Sequence, residues 1–148
     1  MVNEVVALVQ REVVHHRIAL QLRVASGLPP VLGDRVQLQQ VLINLVINAI
    51  QAMADIGDNP REVLIASRED KEGHVVVAVQ DCGPGIDPAN ANRLFEAFFT
   101  TKSNGMGMGL SICRSIIEDH GGQLWASSNA GHGATFQFSL PSIGESAS

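Results

Sequence analysis

The chain has 148 residues and a mass of 15.8 kDa, the size of one ordinary domain. Apolar residues make up 45% of it, enough for a core, which excludes wholesale disorder. Ten basic residues against fifteen acidic ones give a net charge of −5, which argues against a binder of the nucleic-acid backbone and against electrostatic docking on an anionic membrane, but not against a small anion held by local geometry.

Val2 to Val14 places Val2, Val5, Val6, Val9 and Val13 at near-helical spacing. Ile18, Leu20, Leu22 and Val24 alternate, the pattern of a half-buried strand. Ser26 to Gly33, with Pro29-Pro30, is a connector, and Asp34 caps a long helix that ends near Ile56-Gly57. Glu62–Ser67 and His74–Gln80 read as strands joined in a hairpin around Lys71-Glu72-Gly73. Asp81–Pro88 is a Gly/Pro loop, Asn90–Phe95 a short helix, and Phe98–Met108 a polar, glycine-bearing stretch without periodicity. Leu110–His120 is helical and stops at Gly121-Gly122. Gln123–Ser127 and Ala134–Leu140 are the last strands, and 142–148 is expected to be a flexible tail after a domain over 1–141. Mixed helices and hairpin-joined strands predict an α+β fold, a two-layer sandwich with helices covering one face of a mixed sheet, rather than a doubly wound parallel sheet.

Val36 to Ala54 carries no charge, yet Gln37, Gln39, Gln40, Asn44, Asn48 and Gln51 make it too polar to span a membrane. The start, Met1-Val2-Asn3-Glu4, lacks the charged region of a signal peptide. Cys82 and Cys113 form neither a CxxC pair nor a disulfide framework, so the expected setting is reducing and cytoplasmic.

Three features carry chemistry. Along the long helix Gln37, Gln40, Asn44, Asn48, Gln51 and Asp55 recur at steps of three or four and share one face. A solvated face is the plain reading. However, such faces recruit Glu and Lys, and this one uses amides from Gln37 to Gln51. Asn44 and Asn48, one turn apart, offer neutral oxygens that suit Mg²⁺ beside a phosphate. Second, Asp81-Cys82-Gly83-Pro84-Gly85 follows a valine-rich strand. It is either a turn or a carboxylate placed to accept from a planar amine such as adenine N6. Third, Gly105-Met106-Gly107-Met108-Gly109 runs into a helix at Leu110, either as a hinge or as a phosphate cradle of exposed N–H groups. It is neither a P-loop nor a dinucleotide fingerprint. Lys102, the only lysine besides Lys71, precedes it as a candidate point charge for a phosphate or as a solvated residue.

Other residues have structural readings. His15-His16 has no following acid and is not promoted to a phospho-acceptor. His120 at a helix C-terminus suits a partly charged imidazole. Cys82 and Cys113 read as small packing residues, and Arg93 and Arg114 as surface residues.

The order Asn44-x-x-x-Asn48, Asp81-x-Gly83-x-Gly85, Phe95-Glu96-Ala97-Phe98-Phe99, Gly105-x-Gly107-x-Gly109, Gly133-Ala134-Thr135-Phe136 resembles the catalytic ATP-binding domain of bacterial sensor histidine kinases. The resemblance covers about Val2 to Pro141 and leans toward the nitrogen-regulation and oxygen-sensor (FixL-like) subgroup. It implies a Bergerat-type sandwich with ATP between the long helix and a lid. Asp81 would bind the adenine amine with help from Thr135, while Gly83, Gly85 and Ile86 shape the base pocket. Asn48 would ligate Mg²⁺, and Asn44 would act beside it near the phosphates as the catalytic residue. Gly105, Gly107, Gly109 and Leu110 would hold the phosphates, with Thr101 and Lys102 in the lid and Phe95 and Phe98 anchoring it. The implied partners are ATP, a dimerisation domain bearing the acceptor histidine, and a response regulator, with no nucleic acid and no direct membrane contact. The family's helical hairpin with an acceptor histidine followed by an acid is not found in these residues, so the chain is expected to be part of a larger kinase. The alternative is a non-catalytic nucleotide-responsive interaction module, like a degenerate kinase or an anti-sigma-like switch.

Overall fold

A computed structural model describes residues 2–25, 33–53, 61–83, 109–128 and 133–141. The elements are α1 (Val2–His15), β1 (Ala19–Val24), α2 (Arg35–Ala52), β2 (Glu62–Glu69), β3 (Val75–Asp81), α3 (Gly109–Asp119), β4 (Gln123–Ser128) and β5 (Ala134–Leu140). They form one five-stranded sheet in the order β1-β2-β3-β5-β4. β1 and β2 pair in parallel, with α2 in the connection between them, and the other neighbours are antiparallel. This is the α+β architecture with a mixed sheet that the pattern of elements predicts. The expected helix over Asn90–Phe95, the end of α2 beyond Met53, and the tail lie outside the described residues.

Alternation along the strands selects the face that meets the helices. Val63 and Ile65 of β2, Val75, Val77 and Val79 of β3, and Phe136, Phe138 and Leu140 of β5 are buried in register with one another. Against them pack Leu38, Val41, Leu42, Leu45, Val46, Ala49, Ile50 and Met53 of α2 and its C-cap, with Val5, Val9 and Val13 of α1 and Cys113 and Ile117 of α3 on its flanks. α2 is therefore the middle helix of the layer, which is why its apolar stripe is wide and only a narrow row of amides remains. Burying a Leu, Ile or Phe side chain contributes about 1.5–3 kcal/mol, so this shared face is the main source of stability.

β1 departs from the expected half-buried strand. Its inward positions Leu22 and Val24 are 41% and 48% exposed. It is an edge strand, hydrogen-bonded to β2 alone among the described residues, and an edge strand is covered only where a neighbouring element reaches it.

Local chemistry sets the ends. Asp34 caps α2, its Oδ1 accepting from Gln37 N–H at 3.1 Å. α3 ends in a Schellman motif: Gly122 N–H bonds Ile117 O and Gly121 N–H bonds Glu118 O, with Gly121 at φ +80°. α1 ends in the same pattern, Ile18 to Val13 and Arg17 to Val14, with Arg17 in the left-handed position at φ 56°.

Candidate functional site

Asp81 ends β3 on the helix-facing side, in the row that begins Val75, Val77, Val79. Its register partner Val63 and the following residue of β5, Ala134, are both buried. A carboxylate in this row is 2% exposed, so its burial must be matched by hydrogen bonds. Oδ1 accepts from Gly83 N–H at 2.9 Å and from Ala134 N–H at 3.2 Å. Gly133, at φ +95°, turns the chain so that the Ala134 N–H arrives there. Gly83 is held closely: a Cβ would lie 2.9 Å from Ala52 O and 3.2 Å from Asp81 Oδ1. Cys82 N–H reaches Met53 Sδ at 3.4 Å. The end of β3 is thus clamped to the end of α2, and the carboxylate has a fixed orientation.

Along α2 the amide row grows less exposed toward that end. Gln37 and Gln40 are exposed, whereas Asn44, Asn48 and Gln51 are half-buried. Asn44 Nδ2 donates to Cys113 Sγ at 3.6 Å, and Asn44 Oδ1 accepts from Gln40 Nε2 at 3.1 Å. Cys113 Sγ in turn lies 3.9 Å from Val41 O, the acceptor for its proton. Burial pushes the Cys113 thiol up, against a smaller opposing effect of the Asn44 hydrogen bond. The sulfur therefore stays protonated and neutral.

At its other end α3 is tied to α2 by Asp34 N–H, which donates to His120 Nε2 at 3.0 Å. The helices are antiparallel, joined at Asn44–Cys113 and at Asp34–His120. Four residues, or about 6 Å, beyond Asn44 is Asn48, and four residues before Cys113 is Gly109, where α3 opens. Asn48 is thus level with the N-terminus of α3, the positive end of the helix dipole.

The structure brings Asn44, Asn48, Asp81, Gly83, Gly109 and Leu110 to α2 and the ends of its neighbours. In the β3–β5 register Thr135 pairs with Gln80, one residue along from the Ala134 N–H that reaches Asp81 Oδ1. Gly85, Ile86, Thr101, Lys102, Gly105 and Gly107, with Phe95 and Phe98, lie outside the described residues.

His120 is also read differently in the structure. A backbone N–H can only donate, so Nε2 is an acceptor and the proton is on Nδ1, which donates to Ile116 O at 2.7 Å. The ring is the neutral Nδ1–H tautomer, not the partly charged imidazole expected at a helix end. Arg114 is a surface residue as expected, paired with Glu118 at 3.4 Å. The roles of Cys113 and His120 are not readable from spacing, because their partners are 69 and 86 residues away. Only the buried i,i+4 position of Cys113 relative to Ile117 hinted that it faces α2.

One further cluster could hold a cation. Asp70, Glu72 and His74 have ligand atoms within 4.8 Å of one another at the β2–β3 turn. Asp70 Oδ1 already accepts from the N–H groups of Glu72 and His74, both at 2.9 Å, so a turn explains the grouping.

Comparison with known proteins agrees with this geometry. Residues 33–143 match the family model for histidine kinase-, DNA gyrase B- and HSP90-like ATPases. The chain is 48% identical over 128 residues to the sensor protein FixL of Bradyrhizobium diazoefficiens, covering 86% of this chain and 25% of that protein. It is 36% identical over 141 residues to the signal transduction histidine-protein kinase AtoS of Escherichia coli, covering 95% of this chain and 22% of that one. The nucleotide-free catalytic domain of histidine kinase ThkA superposes with a TM-score of 0.83 at 37% identity, over 95% of this chain and 89% of that one. Full-length ShkA in complex with AMPPNP superposes with a TM-score of 0.80 at 31% identity, over 95% and 29%. The chain thus spans about a quarter of the curated relatives it matches. The fold, the buried carboxylate beside two glycines and the asparagine row place the chain in the histidine kinase-, gyrase- and HSP90-like ATPase family, as a catalytic ATPase domain of the sensor histidine kinase type.

Proposed function

We propose that the chain binds Mg·ATP and presents the γ-phosphate to a histidine on a separate helical domain of the same kinase. The observation that carries this reading is Asp81, a carboxylate fixed on the core-facing side of β3 by the Gly83 and Ala134 N–H groups. A carboxylate so held is an acceptor of fixed direction, which suits the exocyclic amine of adenine. Gly83 lets the end of β3 close on the end of α2, since a side chain there would meet the Ala52 carbonyl, and this closeness holds the carboxylate in place.

The phosphates would run from Asp81 toward the N-terminus of α3, where Gly109 and Leu110 supply N–H groups, helped by Gly85, Ile86, Thr101, Lys102, Gly105 and Gly107. Asn48 would hold Mg²⁺ and Asn44 would lie beside the phosphates. The donor set fits such an ion: two half-buried carboxamides, one turn apart, add no negative charge. When bound, Mg²⁺ neutralises charge on the phosphate chain. Transfer then rests on positioning and electrostatics rather than on covalent chemistry by this domain. Any base would be beside the acceptor histidine.

The functional domain extends over 1–141 in this reading. α1 packs on α2 and β1 extends the sheet, so both belong to the same core as residues 33–143. The setting is cytoplasmic. Among the described residues no helix is long and apolar enough to cross a membrane. A response regulator is the further partner, as ThkA has been crystallised with the response regulator protein TrrA.

The test is Asp81→Asn. The retained Oδ1 still accepts from Gly83 and Ala134, while the other oxygen becomes a donor. The fold should persist by circular dichroism, and Mg·ATP affinity by calorimetry should fall at least about tenfold, the weight of one charged hydrogen bond replaced by a donor–donor clash. Unchanged affinity would overturn the assignment.

A further inference from the structure

We propose that His120 is a positioning residue for nucleotide binding: its neutral imidazole locks the asparagine-bearing helix α2 in register against α3. This rests on the functional reading above and adds a residue to it.

The imidazole spans two helices. Nδ1–H donates to Ile116 O in the last turn of α3, and Nε2 accepts the N–H of Asp34, the N-cap of α2. The ring lies against Gly33, where a Cβ would be 2.7 Å from its Cδ2, 3.2 Å from its Nε2 and 2.9 Å from Leu38 Cδ1. A neutral histidine has one donor and one acceptor, and both are used. Such a bond fixes the sliding position of α2 along α3. A helix moves as a rod, so a slip at Asp34 displaces Asn44 from Cys113 and Asn48 from its level beside Gly109. The bond also fails in a defined way: protonation of Nε2 would set an N–H against an N–H.

The experiment measures Mg·ATP affinity of the whole chain by calorimetry for His120→Ala, His120→Gln and His120→Asn. Gln offers an acceptor at the ε position, where Asp34 N–H points. Asn offers only a donor at the δ position, toward Ile116 O. Weakening of about fivefold, the weight of one hydrogen bond, is expected for His120→Ala and His120→Asn, with recovery in His120→Gln. Protection of the Asp34 amide from hydrogen exchange should be lost in His120→Ala and retained in His120→Gln, a readout independent of nucleotide. Recovery by Asn and not Gln, or a lowered Tm with unchanged affinity, would each overturn this role alone. Absence of nucleotide binding by the unaltered chain would overturn the functional reading and this role together.

Discussion

The carboxamide of Asn44 on α2 donates to the thiol of Cys113 on α3 at 3.6 Å. This relationship ties a proposed site residue to the core, and its consequences can be measured. The thiol gives its proton to Val41 O and presents a lone pair to Asn44, which turns the amide oxygen away from α3. Cys113→Val fills similar space without an acceptor. It should lower stability by about 1 kcal/mol in urea unfolding, the value of an ordinary hydrogen bond. Because burial raises the thiol's pKa, the unfolded chain ionises first as pH rises past about 8.5. The stability held by the neutral thiol is therefore complete below that pH and is lost as pH climbs toward the folded value. Cys113→Val should show a flatter alkaline limb, and Cys113 should react with a thiol reagent only on unfolding, after the half-buried Cys82.

Gly83 carries a steric prediction. In Gly83→Ala the new methyl would meet Ala52 O at 2.9 Å, which is backbone and cannot rotate away. Overpacking of this kind costs about 1–3 kcal/mol. The displacement falls on Asp81, so nucleotide affinity should drop by more than the same loss of stability produces in a core variant distant from the site. Thermal unfolding and calorimetry on the two variants would compare these effects.

The end of α3 separates two glycine roles. At Gly121 φ is +80° but the nearest obstacle is Pro141 Cγ at 3.6 Å, so Gly121→Ala should cost only the left-handed penalty of about 1 kcal/mol. At Gly122 a Cβ would run into Ser139 O, which is backbone and cannot turn aside. Gly122→Ala must move β5 away from α3, and its stability should fall several-fold further than that of Gly121→Ala. Equal Tm values for the two variants would contradict this account.

Asp70 supplies an acid-limb prediction. Partial desolvation raises its carboxyl pKa, but the N–H groups of His74 and Glu72, with the charges of His74 and Arg68, outweigh it, so the net shift is downward. A carboxylate with a depressed folded pKa contributes stability above its unfolded value, near 3.9, and loses it as pH falls through the lower folded value. Asp70→Asn keeps an oxygen for the two turn N–H groups and removes the charge. Its Tm should be slightly below that of the unaltered chain at neutral pH, with the difference closing as pH falls below about 4.

Local rules were sufficient where the cause is local. The cap at Asp34, the stop at Gly121-Gly122, the hairpin around Lys71-Glu72-Gly73 and the boundaries of β5 follow from turn chemistry and periodicity, and all are as expected. The asparagine spacing and the carboxylate after a valine strand were also legible, because four residues make one turn and alternate residues share one face. Tertiary structure decided what depends on distant partners. Register brought the Ala134 N–H to Asp81 Oδ1, since a shift of one residue reverses the face of a strand. Edge position left Leu22 and Val24 exposed despite an inward pattern. Packing of α3 against α2 gave Asn44 its thiol and made His120 a neutral acceptor. The sequence by itself determined which chemical groups are present and how they are spaced within each element. Only the fold decided which of them meet, because hydrogen bonds across 53 to 86 residues depend on how the sheet and helices close on one core.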